Sequence, residues 1–181
     1  RLRLEFTGKI GQTASGLFAV DYPAEGGERR MLTTQFEVAD ARRFVPMWDE
    51  PSAKATFALE VVIPQGQSAY SNMPVASSAE ANGKQVVRFA TSPRMSSYLL
   101  HLTVGDLERI SRKAAGVEIG IVTRKGAAEK GRVALDAAVE HPLEERRRRS
   151  RDGLRRRAVL APPAPDRLVG LADLLRNGVG D

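Results

Sequence analysis

Residues 33–57 read TTQFEVADARRFVPMWDEPSAKATF, and this stretch decides how the rest of the chain is interpreted. It places neighbouring carboxylates, an amide, an arginine pair, two prolines and the only Trp of the chain between two segments with the pattern of strands. Charged and polar groups are costly to bury without partners. Their position beside large apolar side chains therefore indicates either the edge of a site or a buried polar corner.

Gln35 and Glu37 are the candidate binding residues of this stretch. They stand two positions apart on a predicted strand, so both would project from one face while Phe36 projects from the other. An amide oxygen and a carboxylate that project together suit the recognition of a primary ammonium group. The alternative is that both side chains face water on a half-exposed strand.

A polar corner is predicted after this strand. Asp40 is placed to accept backbone N–H groups at the start of a short helical turn, and Arg42 or Arg43 can pair with Asp49 or Glu50. Paired carboxylates also occur in general acid–base catalysis. We favour a salt-bridged corner over catalysis because adjacent side chains point apart and no His lies nearby.

The stretch resembles the signature of the N-terminal domain of the zinc aminopeptidase N family. In that family a Thr-Gln-Phe-Glu strand leads through Asp-Ala-Arg-Arg into an Asp-Glu-Pro turn and a Lys-Ala-x-Phe strand. Two further motifs occur in the family order, namely Ser71-Asn72-Met73-Pro74 and Ser92-Pro93-Arg94-Met95-Ser96-Ser97-Tyr98-Leu99-Leu100. Weaker similarity continues through Gly105-Asp106, Val122-Thr123-Arg124 and Gly126 and stops near Ala138.

The resemblance implies a domain that walls one side of an active site in a metallo-exopeptidase that removes amino-terminal residues from peptides. Gln35 would contact the amino end of the peptide, with Glu37 as the second choice. The zinc, its activated water and the general base would come from a catalytic domain, so no catalytic or metal-binding residue and no cofactor is assigned to this chain. Alone, it would be an inactive fragment whose missing partner is that catalytic domain.

Apolar and polar residues alternate along most of the first 126 residues, with turn residues between the runs. We therefore predict an all-β domain, a β-sandwich or curved antiparallel sheet. Expected strands include Leu2–Phe6, Ala55–Ile63 and a central Tyr98–Gly105, and Asn82-Gly83 predicts a tight hairpin turn. His101 is expected to be a satisfied interior or edge residue and not a ligand. Helical spacing over 127–138 predicts a short exit helix.

The segment 139–181 has a different composition. It carries 10 of the 28 basic residues, all of them Arg, together with a Pro-rich run. We expect this Arg/Pro-rich tail to be disordered or to be the product of a shifted reading frame, because the family's Gly-x-Met-Glu-Asn and H-E-x-x-H motifs are absent where the resemblance predicts them. Reading the gene in all three frames beyond codon 139 tests this hypothesis.

Composition limits the remaining possibilities. The chain has no Cys and therefore no disulfide or thiolate metal site, and no apolar run approaches the ~20 residues of a membrane helix. The net charge of +6 raises nucleic-acid binding through the Arg-rich tail as an alternative, although we do not favour nucleic acid as a partner. A stand-alone β-sandwich interaction module is the other alternative. The compartment, cytoplasmic or periplasmic, is left open.

Overall fold

The structure, a computed structural model, describes residues 2–114 and 116–153, with side chains as far as Glu140. Within these residues it contains nine strands, two short 3-10 turns and one helix. The strands are β1 Gly16–Ala24, β2 Gly27–Gln35, β3 Glu60–Pro64, β4 Ser68–Ser71, β5 Val75–Ala81, β6 Lys84–Phe89, β7 Leu102–Gly105, β8 Leu107–Ala114 and β9 Val117–Arg124, and the helix is α1 Ala128–Gly153. The all-β fold class of the domain is confirmed.

The first sheet has the strand order β1-β2-β7-β4 and is antiparallel throughout. Strands β1 and β2 form a long hairpin whose register runs from Gly16 opposite Gln35 to Ala24 opposite Gly27. Strand β7 lies between β2 and β4, which confirms its predicted central place. Its pairing with β2 is short, because only Leu32 and Thr33 have partners in it.

The second sheet has the order β3-β6-β5. The predicted turn at Asn82-Gly83 joins β5 and β6, and both residues have positive φ angles, of 52° and 71°. Such angles are required at both central positions of a type I′ turn. Buried residues of both sheets form one hydrophobic cluster, consisting of Ile63, Ala69, Val87, Phe89, Leu102 and Val104. This cluster buries side chains of β3, β4, β6 and β7, whereas every residue of β5 is exposed.

The chain divides into two compact units, Arg1–Leu107 and Glu108–Asp181. In the second unit, α1 packs against the β8–β9 hairpin through a cluster that includes Ile121, Leu135 and Val139. Gly131 permits the close approach, because a Cβ built there would lie 3.0 Å from the Thr123 methyl group. The predicted domain 1–126 falls across both units. No helix in the described residues has the length and apolar character needed to cross a membrane.

One predicted strand is absent from the described residues, and two others are shorter than predicted. Leu2–Phe6 is not a strand, and Leu2 is 78% exposed, because no strand in the described residues pairs with it. The predicted strand Ala55–Ile63 begins only at Glu60. The predicted strand Tyr98–Gly105 begins only at Leu102, because residues 97–99 form a 3-10 turn before it.

The helix also differs from its prediction. It continues past Ala138, where the exit helix was expected to stop, and runs to Gly153. It therefore includes the first part of the Arg-rich segment. The remainder of the predicted tail, 154–181, lies outside the described residues.

Candidate functional site

The candidate site begins where β2 ends. Phe36 follows the last strand residue and is 2% exposed; it packs against Ala41 and Leu100 and stacks on Phe44 at a ring-centroid distance of 5.4 Å. The backbone then turns at once, since the Asp40 N–H donates to the Phe36 carbonyl at 3.0 Å. A large aromatic side chain therefore anchors the turn at its first residue.

Gln35 and Glu37 lie on either side of this anchor. Gln35 is the last residue of β2, is half-buried and pairs with Gly16 of β1. Glu37 is exposed in the turn that follows, and its peptide bond to Val38 is cis. Because β2 ends at Gln35, strand alternation does not set the direction of the Glu37 side chain as the sequence pattern suggested. A substrate role for either residue stays a prediction.

The polar corner is confirmed and is centred on Asp49, whose side chain is 1% exposed. Its carboxylate accepts hydrogen bonds from the Arg42 backbone N–H at 3.0 Å, from the Arg42 Nε at 3.4 Å and from the Ser97 hydroxyl. Burial raises the pKa of Asp49, but the hydrogen bonds from Ser97 and Arg42 outweigh it and hold this pKa below its usual value. Asp49 is therefore a charged structural residue.

Asp40 has a different role from the predicted one. It makes no side-chain hydrogen bond to the N-terminus of the short helical turn. Its carboxylate instead accepts from the Ser15 hydroxyl at 2.7 Å and pairs with Arg43 at 2.9 Å. The bond to Ser15 ties the corner to the residue before the β1–β2 hairpin. Asp40 thus occupies the predicted N-cap position, but the predicted capping by its side chain is wrong.

Sequence reasoning missed the serines that complete the corner. Ser97 is 2% exposed and donates to Asp49, while Ser96 donates to the Pro51 carbonyl at 2.6 Å. Both belong to the motif of residues 92–100, which the sequence distinguishes only by its resemblance to the family. Two adjacent serines after Pro-Arg-Met could have signalled hydrogen bonds to a distant turn, although nothing in the sequence identifies that turn.

The surface beside the corner is apolar and basic. Trp48 is 85% exposed, and it borders a shallow cavity of about 300 Å³. The cavity is lined by Met47, Trp48, Ser52, Ala53, Lys54, Ala55, Phe57 and Arg94. The only Trp of the chain is thus a surface residue, whereas Phe36 fills the core beneath the site.

His101 is half-buried and lies immediately before β7. It is satisfied as predicted, since its Nε2 lies 2.8 Å from the Thr103 hydroxyl. Burial lowers the pKa of His101. The ring is therefore neutral at neutral pH.

The described residues do not fit a zinc site. They contain no group of three or more His, Asp or Glu side chains that could hold a metal ion. Zinc sites usually need three or four such ligands.

Comparison with known proteins identifies related sequences. The chain is 47% identical over 139 residues to aminopeptidase N of Acetobacter pasteurianus, a match that covers 76% of this chain and 39% of that protein. It is 40% identical to probable aminopeptidase 2 of Sulfurisphaera tokodaii (76% of this chain, 17% of that protein) and 38% identical to aminopeptidase M1-B of Oryza sativa subsp. japonica (77% and 16%). The chain thus spans well under half the length of these relatives.

The family model for the peptidase M1 N-terminal domain provides the decisive comparison. It matches residues 1–99, which include the 33–57 stretch, the Asp49 corner and most of the first unit. The resemblance inferred from the motifs is confirmed. The chain belongs to the peptidase M1 N-terminal domain family.

Proposed function

We propose that this chain is the substrate-flanking N-terminal domain of an M1 aminopeptidase, with Gln35 and Glu37 as its contacts to the amino end of a peptide. The observation that carries the proposal is the 47% identity to a protein named aminopeptidase N. The position of the two residues supports it, since they flank a buried anchor at the end of a strand.

The chemistry of the two side chains complements an α-ammonium group. The Gln35 amide oxygen is a neutral acceptor on a residue whose backbone is fixed by pairing with Gly16. Glu37 adds a negative charge in an exposed turn. A hydrogen bond between an ammonium group and a carboxylate is stronger than one between neutral groups. A peptide whose amino group is acetylated should therefore lose the contact to Glu37.

We also propose that the chain hydrolyses no peptide by itself. In this family, as the resemblance implies, zinc and the general base belong to a catalytic domain, and residues 1–181 contain no H-E-x-x-H. The direct assay incubates the full chain with zinc and leucine p-nitroanilide. Release of p-nitroaniline above the blank would contradict this part of the proposal.

The binding role is tested in a hybrid enzyme in which residues 1–138 replace the matching segment of the Acetobacter aminopeptidase N. Gln35→Ala and Glu37→Gln should each lower kcat/KM for leucine p-nitroanilide about tenfold or more, because a hydrogen bond to a charged group is worth about 1.5–3 kcal/mol. Ser78→Ala is the matched control, since Ser78 lies on the exposed strand β5. Unchanged kcat/KM in both variants would overturn the assignment of these residues.

One observation favours the second candidate, a stand-alone interaction module. Trp48 is 85% exposed and lines a cavity together with Met47 and Phe57, and contiguous exposed apolar surface is typical of sites that bind a partner. The hybrid discriminates between the two functions. A hybrid that folds and carries its metal but shows no activity would favour the module over the peptidase role.

A further inference from the structure

The contact between β2 and β7 changes from backbone pairing to side-chain hydrogen bonds immediately before Gln35. Backbone pairing between the two strands stops at Thr33. The next residue, Thr34, is 6% exposed, and its Oγ1 accepts the Leu102 N–H at 2.9 Å and lies 3.4 Å from the Leu102 carbonyl oxygen. One hydroxyl therefore replaces the backbone partner that Leu102 would otherwise have on this side.

Three other side chains form hydrogen bonds at the place where the pairing of β2 and β7 ends. The Thr33 and Thr103 hydroxyls are 2.7 Å apart, and the Thr103 hydroxyl is also hydrogen-bonded to His101. We call Thr33, Thr34, His101 and Thr103 the side-chain clamp. It joins the last residues of β2 to the first residues of β7 where the backbone ladder ends.

Residues 99–102, which the clamp contacts on one side, are also hydrogen-bonded on the other side by Ser71 and Asn72. The Asn72 amide donates to the Leu99 carbonyl and accepts the His101 N–H, both at 2.7 Å. Ser71 donates to the His101 carbonyl at 2.6 Å. Side chains thus hold residues 99–102 on both edges. This segment is a rigid support against which the end of β2 can be positioned.

Gln35 lies between two residues that bind this support. Thr34 holds Leu102 through its hydroxyl, and Phe36 packs against Leu100. Successive side chains of a strand point to opposite faces. With Thr34 and Phe36 both directed inward, the Gln35 side chain is directed to the other face.

We propose that Thr34 is the positioning residue for Gln35, because its hydroxyl joins the end of β2 to Leu102 where no backbone pairing does so. The consequence for catalysis rests on the proposed function, whereas the effect on the conformation of Gln35 does not. Loss of the hydroxyl leaves the Leu102 N–H and carbonyl without their partner on this side, and unpaired buried groups are costly. The end of β2 should then separate from β7 and release Gln35 from a single orientation.

The first test uses the full 181-residue chain. In Thr34→Val, which keeps the side-chain shape, the Leu102 amide should exchange with solvent about tenfold faster or more, and the Gln35 and Phe36 amide signals should shift in ¹H–¹⁵N spectra. Thr34→Ser should restore both. Thr123→Val is the matched control, because Thr123 lies on β9, outside the clamp, and its buried hydroxyl has no hydrogen-bond partner among the described residues. It should leave the Gln35 signal in place.

The second test uses the hybrid enzyme. Thr34→Val should raise KM for leucine p-nitroanilide by about the same factor as Gln35→Ala while kcat changes less, and Thr34→Ser should behave as the parent hybrid. A variant that merely loses stability would lower the amount of active enzyme and leave KM unchanged. If Thr34→Val does not fold, Thr34→Ala removes the same hydroxyl without adding a methyl group to a packed site.

The outcomes separate the two proposals. Gln35 signals that stay in place in a folded Thr34 variant overturn the positioning role, even if Leu102 exchanges faster. An unchanged KM in Thr34→Val beside a raised KM in Gln35→Ala overturns it as well and leaves the proposed function intact. If Gln35→Ala and Glu37→Gln have no effect in the hybrid, the proposed function fails, and the spectra of the full chain still decide the role of Thr34.

Discussion

The buried carboxylate of Asp49 binds residues from two separate segments of the chain. Its carboxylate is almost fully removed from water, a position that is unfavourable for an isolated ion. Three hydrogen bonds compensate for the lost hydration, two from Arg42 and one from Ser97. Since Ser97 stands forty-eight positions further along the chain, the carboxylate joins two distant segments of the domain.

We predict that Asp49→Asn lowers the free energy of unfolding by about 2 kcal/mol, because hydrogen bonds to a charged group are worth about 1.5–3 kcal/mol and an amide keeps only part of them. Urea unfolding followed by circular dichroism measures the change. Asp21→Asn is the matched control: Asp21 also pairs with an Arg, at 2.6 Å, but its side chain is 39% exposed. Pairs in water contribute only ~0–1 kcal/mol. Equal losses in the two variants would contradict the structural role of Asp49.

Helix α1 obtains its N-terminal cap from another element. The Oε1 of Glu108, on β8, accepts the backbone N–H groups of Ala127 and Ala128 at 2.9 and 2.8 Å. These groups lack partners within the helix. A carboxylate is also favourable at the positive end of the helix dipole. The hairpin and the helix are therefore coupled by a hydrogen-bonded charge as well as by their apolar contact.

Removal of this cap should destabilise the second unit. We expect Glu108→Ala to lower the free energy of unfolding by about 1 kcal/mol, the usual cost of losing an N-cap. Glu118→Ala is the control, because Glu118 on the same hairpin pairs with Arg109 at 2.6 Å and remains 48% exposed. Amide exchange of Ala127 and Ala128 identifies the site of the effect. Unchanged exchange at these two amides in Glu108→Ala would contradict the capping role.

The stability of the whole molecule should depend on pH in two ranges. The pKa of His101 is lowered from 6.5 by burial, so between its folded and unfolded pKa values the unfolded chain binds the additional proton. Stability should therefore fall as the pH drops below 6.5. The pKa of Asp49 is lowered from 3.8, so its contribution is complete above that value and is lost as the pH falls further.

Urea midpoints measured between pH 8 and pH 3 test this profile. His101→Gln should remove the decline that begins near pH 6.5, and Asp49→Asn should reduce the loss at acid pH. Asp21 and Glu118, whose pKa values are also lowered by hydrogen bonds to Arg, leave some acid sensitivity in both variants. A parent profile that stays flat from pH 8 to pH 5 would contradict a neutral, half-buried His101.

The local pattern of the sequence determined much of this protein. Alternation predicted the strands of both sheets except β4, with β3 and β7 starting later than expected. Asn82-Gly83 predicted a hairpin, because only certain residues tolerate two positive φ angles in succession. The motifs fixed the family, since several rare combinations occurred in the family order. The composition of the corner predicted an Arg–carboxylate pair, because buried charges require partners.

The tertiary structure alone decided which partners meet. Whether Leu2–Phe6 forms a strand depends on a neighbour for its backbone groups, and the described residues supply none. Asp40 bonds Ser15 instead of the adjacent turn. Thr34 reaches Leu102, which lies sixty-eight positions away in the sequence. Spacing in a sequence sets the face of a strand on which a side chain lies, whereas hydrogen-bond partners far along the chain are set only when the chain folds.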